Sequence, residues 1–204
     1  MIKNVIFDVG NVFVQWSPTE IVQRCFDLPK GSDENLLRAE ALFRNPLWRS
    51  LNRGELTQRE AEKAYQAQFG LSAEQTRTLF FHITDHQELI DGTEEIARRL
   101  GKAGYRVFAL TDNVLEIVAH LKNRHRFWTL FEGAVISAEI GMLKPDPAIF
   151  RHATEKFNLL AEETVFLDDV EANVDGASSI GMKARLFTTP SRCVEDLQAL
   201  GLSF

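Results

Sequence analysis

Val5–Trp16 reads VIFDVGNVFVQW. An apolar run stops on an acid, Asp8, and turns at once through Gly10 and Asn11. A carboxylate at the tip of a buried strand costs free energy unless it is paired or has a chemical task. The reading of Asp8 therefore depends on what the rest of the chain brings to the same place. Four later runs resemble the NVIF that precedes it: RVFAL ahead of Thr111, GAVI at Gly133–Ile136, TVFL ahead of Asp168, and KARLF at Lys183–Phe187. Most are rich in Val, Phe, Leu or Ile without clean alternation. That suits strands covered on both faces, as in parallel sheets.

Helical patterns separate these runs. Asp91 and Glu94 have capping-box spacing ahead of EEIARRLGKAG, where Gly104 is placed to end the turn, and Asn113 is placed to cap VLEIVAHLKNR. Asp146–Pro147 offers an N-cap and a first-turn proline to AIFRHATEKF. In EANVDGASSIG, Val174, Ala177 and Ile180 form an inner stripe and Gly181 a stop. Strand–helix alternation of this kind predicts an α/β fold, a doubly wound (Rossmann-like) parallel sheet.

From about Ser17 to Leu89 the strand pattern is missing. Helical segments stand there instead, around ENLLRAEALF, TQREAEKAYQAQF and SAEQTRTLFFHI, with capping-box spacing at Thr57/Glu60 and Ser72/Gln75. The expected organisation is a core of residues 1–16 and 90–204 with a small helical cap at 17–89. LWRSLNRGEL reads as a loop-like lip facing a substrate, carrying Trp48, Arg49, Asn52, Arg53 and Glu55. Trp48 reads equally as core, and Arg53 either as a sugar or phosphate contact or as a solvated charge. His82 and His86, four residues apart, read as cap-surface residues rather than metal ligands.

The chain of 204 residues is 45% hydrophobic and 25% charged, an ordinary soluble globular composition. A formal net charge of -6 argues against nucleic acid or an anionic membrane as the main partner. It leaves room for a small anionic substrate, since local cations can reverse the field in one cleft. Cys25 and Cys193 are far apart and read as reduced thiols. The apolar stretch in MIKNVIFDVG is too short for a signal peptide, and no stretch approaches a transmembrane helix, so the expected location is cytoplasmic. The sequence carries no signal of an oligomeric state.

Open α/β sheets bind ligands beyond the carboxyl ends of their strands. Asp8 follows the first run, and Thr111, Asp112 and Asn113 follow the second. The loop after the third holds GMLKPDP with Lys144, and Asp168 and Asp169 follow the fourth. Several carboxylates in one cleft repel one another, so they need a cation or some must protonate. Oxygen ligands together with a phosphate are what Mg²⁺ prefers. Lys144 and Thr111 can offer charge and a donor to phosphate oxygens. A carboxylate nucleophile at Asp8 can attack phosphorus and form an aspartyl phosphate, with Mg²⁺ and Lys144 offsetting the charge. Asp112 reads as structural or solvent-facing rather than catalytic.

FDVGN, LTDN, GMLKPDPAIF and FLDDVEANVDGA resemble the four ordered motifs of the haloacid dehalogenase-like hydrolase superfamily. The resemblance spans Asn4 to Phe187, and the helical segment resembles the small cap inserted after the first motif. It implies Asp8 as nucleophile, the Gly10 carbonyl as a metal contact, and Asp169 as a direct Mg²⁺ ligand. It implies Asp168 as support for the metal, directly or through water, with Asn173 behind it. Thr111 and Lys144 match phosphate-binding positions, and Asn113 one that orients the phosphate or the leaving group.

One position departs from the pattern. Most phosphatases of the superfamily carry an aspartate two residues after the nucleophile as general acid and base, and Gly10 cannot transfer a proton. General acid–base help is worth roughly 10²–10⁴-fold. A DxGNV first motif nevertheless resembles a subgroup that includes bacterial sugar-1-phosphate phosphatases, whose anomeric leaving oxygen needs less protonation. The expected function is a Mg²⁺-dependent phosphatase of a small phosphorylated metabolite, a sugar phosphate. The alternatives are a 2-haloacid dehalogenase-type hydrolase, using Asp8 without a metal, and a noncatalytic phosphate-ligand binding protein.

Overall fold

The five apolar runs form one parallel sheet in the computed structural model, which describes Met1–Phe204. β1 (Asn4–Phe7), β2 (Arg106–Thr111), β3 (Gly133–Ile136), β4 (Thr164–Asp168) and β5 (Lys183–Leu186) stand in the order β3-β2-β1-β4-β5. The chain winds outward from β1 in both directions, so the switch point of the topology lies beside β1, where open sheets place ligands. Register does the rest. Phe7 stands opposite Ala109 and Leu167, and the Asp8 N–H donates to the Leu167 carbonyl at 2.8 Å. Asp8 and Asp168 therefore leave the sheet side by side.

Five helices lie between β1 and β2: α1 (Pro18–Phe26), α2 (Asp33–Phe43), α3 (Pro46–Asn52), α4 (Gln58–Phe69) and α5 (Ala73–Asp85). Then come α6 (Thr93–Lys102) before β2, α7 (Leu115–Arg124) after it, and the single turn α8 (Ser137–Ile140) after β3. α9 (Pro147–Phe157) precedes β4, α10 (Glu171–Ser178) joins β4 to β5, and α11 (Pro190–Ala199) follows β5. No helix is long and apolar enough to cross a membrane.

Helices cover both faces of the sheet, which is why its strands lack alternation. Val5 and Phe7 point into one apolar cluster with Val107, Val165 and Leu167. Ile6, Phe108 and Phe166 point into the other, against Ile149, Phe150 and Ala153 of α9. Phe150 is fully buried and meets Phe166 edge-on at 5.1 Å, a burial that stabilises by about 1.5–3 kcal/mol. The first cluster runs without a break into Ile21, Leu42 and Tyr65 of the helical segment.

The two chain crossings between sheet and helical segment are paired as a short ribbon. Val14 bridges Leu89 in antiparallel fashion, the Gln15 N–H donates to Glu88 O and the Ile90 N–H to Phe13 O, both at 2.8 Å. α3 leans on the core at Gly54, where a Cβ would lie 2.2 Å from the Ala138 carbonyl oxygen and φ is +69°. Only glycine fits there.

Thr57/Glu60 and Ser72/Gln75 are capping boxes, and the Asp146 side chain accepts from the Ala148 N–H. Asp91 is not a cap: Gly92 holds that place at φ 103°, because α6 starts one residue later. α7 is capped at Val114 without a side-chain bond, and Asn113 instead accepts from the Val114 N–H through Oδ1. LWRSLNRGEL is a loop only in its last four residues: Leu47–Asn52 belong to α3, which Asn45 caps by accepting from the Trp48 N–H and Pro46 opens. His86 is not on the surface but buried beside Glu20, Nε2 lying 3.3 Å from Oε2.

Candidate active site

Lys144 is the centre of the site. Its loop sits against α10, where Gly176 lets the chains approach: a Cβ there would lie 2.4 Å from the Pro145 carbonyl oxygen. The Asp112 carboxylate holds the loop by accepting from the Lys144 N–H at 3.1 Å. The side chain reaches inward, and Nζ stands 2.9 Å from Asp8 Oδ1 and 2.6 Å from Asp168 Oδ2. Burial works against this cation, but Asp8 and Asp168 outweigh it and raise the Lys144 pKa above the ordinary lysine value. Lys144 is a fixed positive charge at neutral pH.

Asp168 is fully buried and saturated with donors. Oδ1 accepts from the Val170 N–H and from Asn173 Nδ2, both at 2.9 Å, while Oδ2 accepts from Lys144. It stands behind Lys144, and its side chain orients the ammonium. Asp8 and Asp169 face the open side, on the wall of a cavity of about 520 Å³. Burial raises the pKa of both carboxyls, opposed at Asp8 by Lys144 and at Asp169 by a hydrogen bond. That bond comes from Asn11 Nδ2, 3.0 Å from Asp169 Oδ2.

These groups fit a hard cation. Ligand oxygens of Asp8, Asp168 and Asp169 lie within 4.8 Å of one another. Three carboxyl groups face a single ammonium in a mostly buried cluster, so they must take up a further cation or some must protonate. The Gly10 carbonyl, on the same cavity wall, receives no hydrogen bond from any backbone N–H. An orphan carbonyl next to surplus carboxylate is an oxygen donor set suited to a divalent metal.

The cavity gathers most of the residues singled out from the sequence. Asp8, Gly10, Thr111, Asn113, Lys144 and Asp169 line it from the sheet edge. The helical segment supplies Trp48, Arg49 and Asn52, spaced along one face of α3. Arg53 is not brought in. α3 ends at Asn52, so Arg53 becomes its C-cap, and its guanidinium points to Glu55 at 3.9 Å. Arg49, one turn earlier, stands on the wall in its place.

Asn11, Trp16, Phe43 and Gln87 also line the cavity and escaped sequence reasoning. Trp16 stacks on Trp48 with ring centroids 5.6 Å apart and planes 8° from parallel. Phe43 meets both edge-on, at 5.6 Å and 5.1 Å. These three rings come from three places in the chain, so no periodicity joins them. Asn11 did carry a signal: an asparagine directly after glycine at a turn tolerates positive φ, and its φ is 52°. A second groove, of about 530 Å³ against Leu37, Leu42 and Phe69, gathers none of the candidate site residues.

Comparison with known proteins shows what the chain as a whole is similar to. The family model described as haloacid dehalogenase-like hydrolase matches residues 2–181. The chain is 26% identical over 200 residues to the sesquiterpene phosphatase astK of Aspergillus oryzae, covering 98% of this chain and 97% of that one. It is 31% identical over 99 residues to the glyceraldehyde 3-phosphate phosphatase of Pyrococcus abyssi, covering 48% of this chain and 42% of that one. The fold is similar to that of a haloacid dehalogenase family enzyme from Bacteroides thetaiotaomicron, solved in complex with magnesium and inorganic phosphate. That likeness has a TM-score of 0.76 at 21% identity, covering 93% of this chain and 96% of that one.

Proposed function

The chain belongs to the haloacid dehalogenase-like hydrolase family, and from that membership we propose that this phosphoric monoester hydrolase is a Mg²⁺-dependent phosphatase of a small phosphorylated metabolite, a sugar phosphate. The observation that carries the reading is the buried Lys144 ammonium, 2.9 Å from Asp8 and 2.6 Å from Asp168, beside a surplus of carboxylate.

Asp8 Oδ attacks the phosphorus, the bond to the leaving oxygen breaks, the departing alkoxide takes a proton from solvent, and an aspartyl phosphate forms. Lys144, held by Asp8 and Asp168, directs its charge at the phosphoryl oxygens. Thr111 and Asn113, on the same wall, donate to them. Water then attacks the phosphorus, the bond to Asp8 breaks, inorganic phosphate leaves, and the proton of the water passes to solvent. Mg²⁺, when held by Asp8, the Gly10 carbonyl and Asp169, with Asp168 supporting from behind, supplies Lewis-acid charge stabilisation.

Gly10 has no side chain to protonate the leaving oxygen. The carboxyl groups on the cavity wall are Asp8, Asp112 and Asp169, and the helical segment adds none, its charged residues there being Arg44 and Arg49. That favours a leaving group that departs with little protonation, as an anomeric oxygen does. The helical segment acts as the cap that selects it, with Arg49, Asn52 and Gln87 as polar partners for hydroxyls and Trp48 as a face for the ring. A second reading has a specific support of its own: the Trp16–Phe43–Trp48 wall also suits an apolar leaving group, as in the sesquiterpene phosphatase relative.

The test is phosphate release from glucose 1-phosphate, glucose 6-phosphate and farnesyl phosphate, with Mg²⁺ and with chelator. Preference for glucose 1-phosphate, lost with chelator, is expected. Equal turnover of the two glucose esters sinks the leaving-group argument, and preference for farnesyl phosphate moves the assignment to the second reading. No release from any ester leaves a noncatalytic binding protein, and activity that survives chelation removes the metal.

A further inference from the structure

We propose that Asn11 is a positioning residue that couples the Asp169 carboxylate to the aromatic wall, so that metal binding and the order of that wall depend on each other. The proposal rests on the reading of Asp169 as a metal ligand.

Both halves of the Asn11 amide are committed. Nδ2 donates to Asp169 Oδ2 at 3.0 Å, and Oδ1 accepts from the Trp16 N–H at 2.8 Å. A flipped amide would set its oxygen against a carboxylate and its NH₂ against an N–H, so both partners enforce one orientation. The backbone is held as well. Asn11 sits at φ 52°, a left-handed conformation that asparagine tolerates better than most residues, and its N–H donates to Val14 O at 2.7 Å. A short side chain with one donor and one acceptor, on a left-handed backbone, is what this position requires.

The two partners belong to different parts of the molecule. Asp169 follows β4 at the sheet edge. Trp16 is the last residue before Ser17, whose side chain caps α1 by accepting from the Glu20 N–H. Trp16 also stacks on Trp48 of α3, so its backbone carries one half of the aromatic wall. Asn11 lies at the root of the ribbon joining sheet and helical segment, where Val14 pairs with Leu89. One amide therefore ties the rotation of the carboxylate to the placement of the wall. A cation that fixes Asp169 steadies Trp16, and by linkage a ligand resting on the wall tightens the cation.

The test uses the full chain in a Trp128→Phe background, which leaves Trp16 and Trp48 as the tryptophans. Mg²⁺ binding is followed by calorimetry and by tryptophan emission. Without Asn11→Gly, Mg²⁺ is expected to bind and to change the emission. Asn11→Gly keeps a backbone compatible with φ 52° and loses both side-chain bonds. It is expected to weaken Mg²⁺ binding by about 10–100-fold and to abolish the emission change. Asn11→Asp keeps an acceptor for the Trp16 N–H but loses the donor to Asp169, and is expected to lose the emission change too. Unaltered Mg²⁺ affinity in Asn11→Gly, or an emission change that survives in either variant, overturns the coupling while the metal reading stands. Absence of Mg²⁺ binding in the background protein overturns both.

Discussion

Asp8, Asp168 and Lys144 are all buried, and the ammonium and the two carboxyl groups make one another tolerable. Asp8→Asn keeps the shape and removes the nucleophile, so phosphate release in a turnover assay is expected to fall by roughly 10³-fold or more. Lys144→Met leaves Asp8 and Asp168 without their cation. Breaking a buried pair in this way costs about 3–5 kcal/mol, measurable by denaturant unfolding, in addition to the loss of turnover. Asp112 gives the pH signature of the site. Burial, opposed by Lys144, raises its folded-state pKa above the unfolded value. Its contribution to stability is therefore full below the unfolded aspartate pKa of about 3.9 and is lost as pH rises through the folded value. Asp112→Asn, which keeps an acceptor for the Lys144 N–H, is expected to gain stability relative to the native protein between pH 4 and pH 7. Thermal unfolding of the two proteins at both pH values checks the sign.

The decisive contact between elements is α10 against the Lys144 loop. Gly176 has no room for a methyl group, since a Cβ would meet the Pro145 carbonyl oxygen at 2.4 Å and Phe150 at 2.9 Å. Gly176→Ala is expected to cost about 1–3 kcal/mol through overpacking. It also displaces the loop that aims Lys144, and a misplacement of about 1 Å at a reacting group can cost 10²-fold in rate. A thermal scan beside a turnover assay separates the two effects. α3 is positioned by its cap: Asn45 accepts from the Trp48 N–H at 3.0 Å and donates to Ala41 O and Leu42 O, both at 2.8 Å. Asn45→Ala is expected to cost about 1–2 kcal/mol. Because Trp48 and Arg49 ride on that first turn, KM is expected to rise more than kcat falls.

For the molecule as a whole, metal binding is expected to act as a stabiliser. A ligand bound only by the folded state at 100 times its Kd adds about 2.7 kcal/mol, or roughly 5–11 °C for a chain of this size. Differential scanning calorimetry with Mg²⁺ and then with chelator measures it, and an unchanged Tm counts against the metal site. The inner strands were legible because each apolar run is a local feature covered on both faces, and β5, Lys183–Leu186 at the sheet edge with Lys183 and Leu186 exposed, by the same strand–helix alternation. The floor of the site, Asp8, Thr111, Asn113, Lys144 and Asp169, was legible for the same reason, since strand ends in a parallel sheet share one edge. The helical side was less so. The replacement of Arg53 by Arg49 depends on where α3 stops, and the burial of His86 beside Glu20 depends on how α5 meets α1. The aromatic wall joins Trp16, Phe43 and Trp48 across separate segments. The sequence by itself determined the strands and the groups that follow them, because these are local patterns, and the resemblance of its motifs to the hydrolase superfamily marked the missing acid at Gly10. Only the tertiary structure decided which residues of the helical segment face that edge and how Asn11 joins the two sides, because contacts between distant segments depend on packing that no local periodicity encodes.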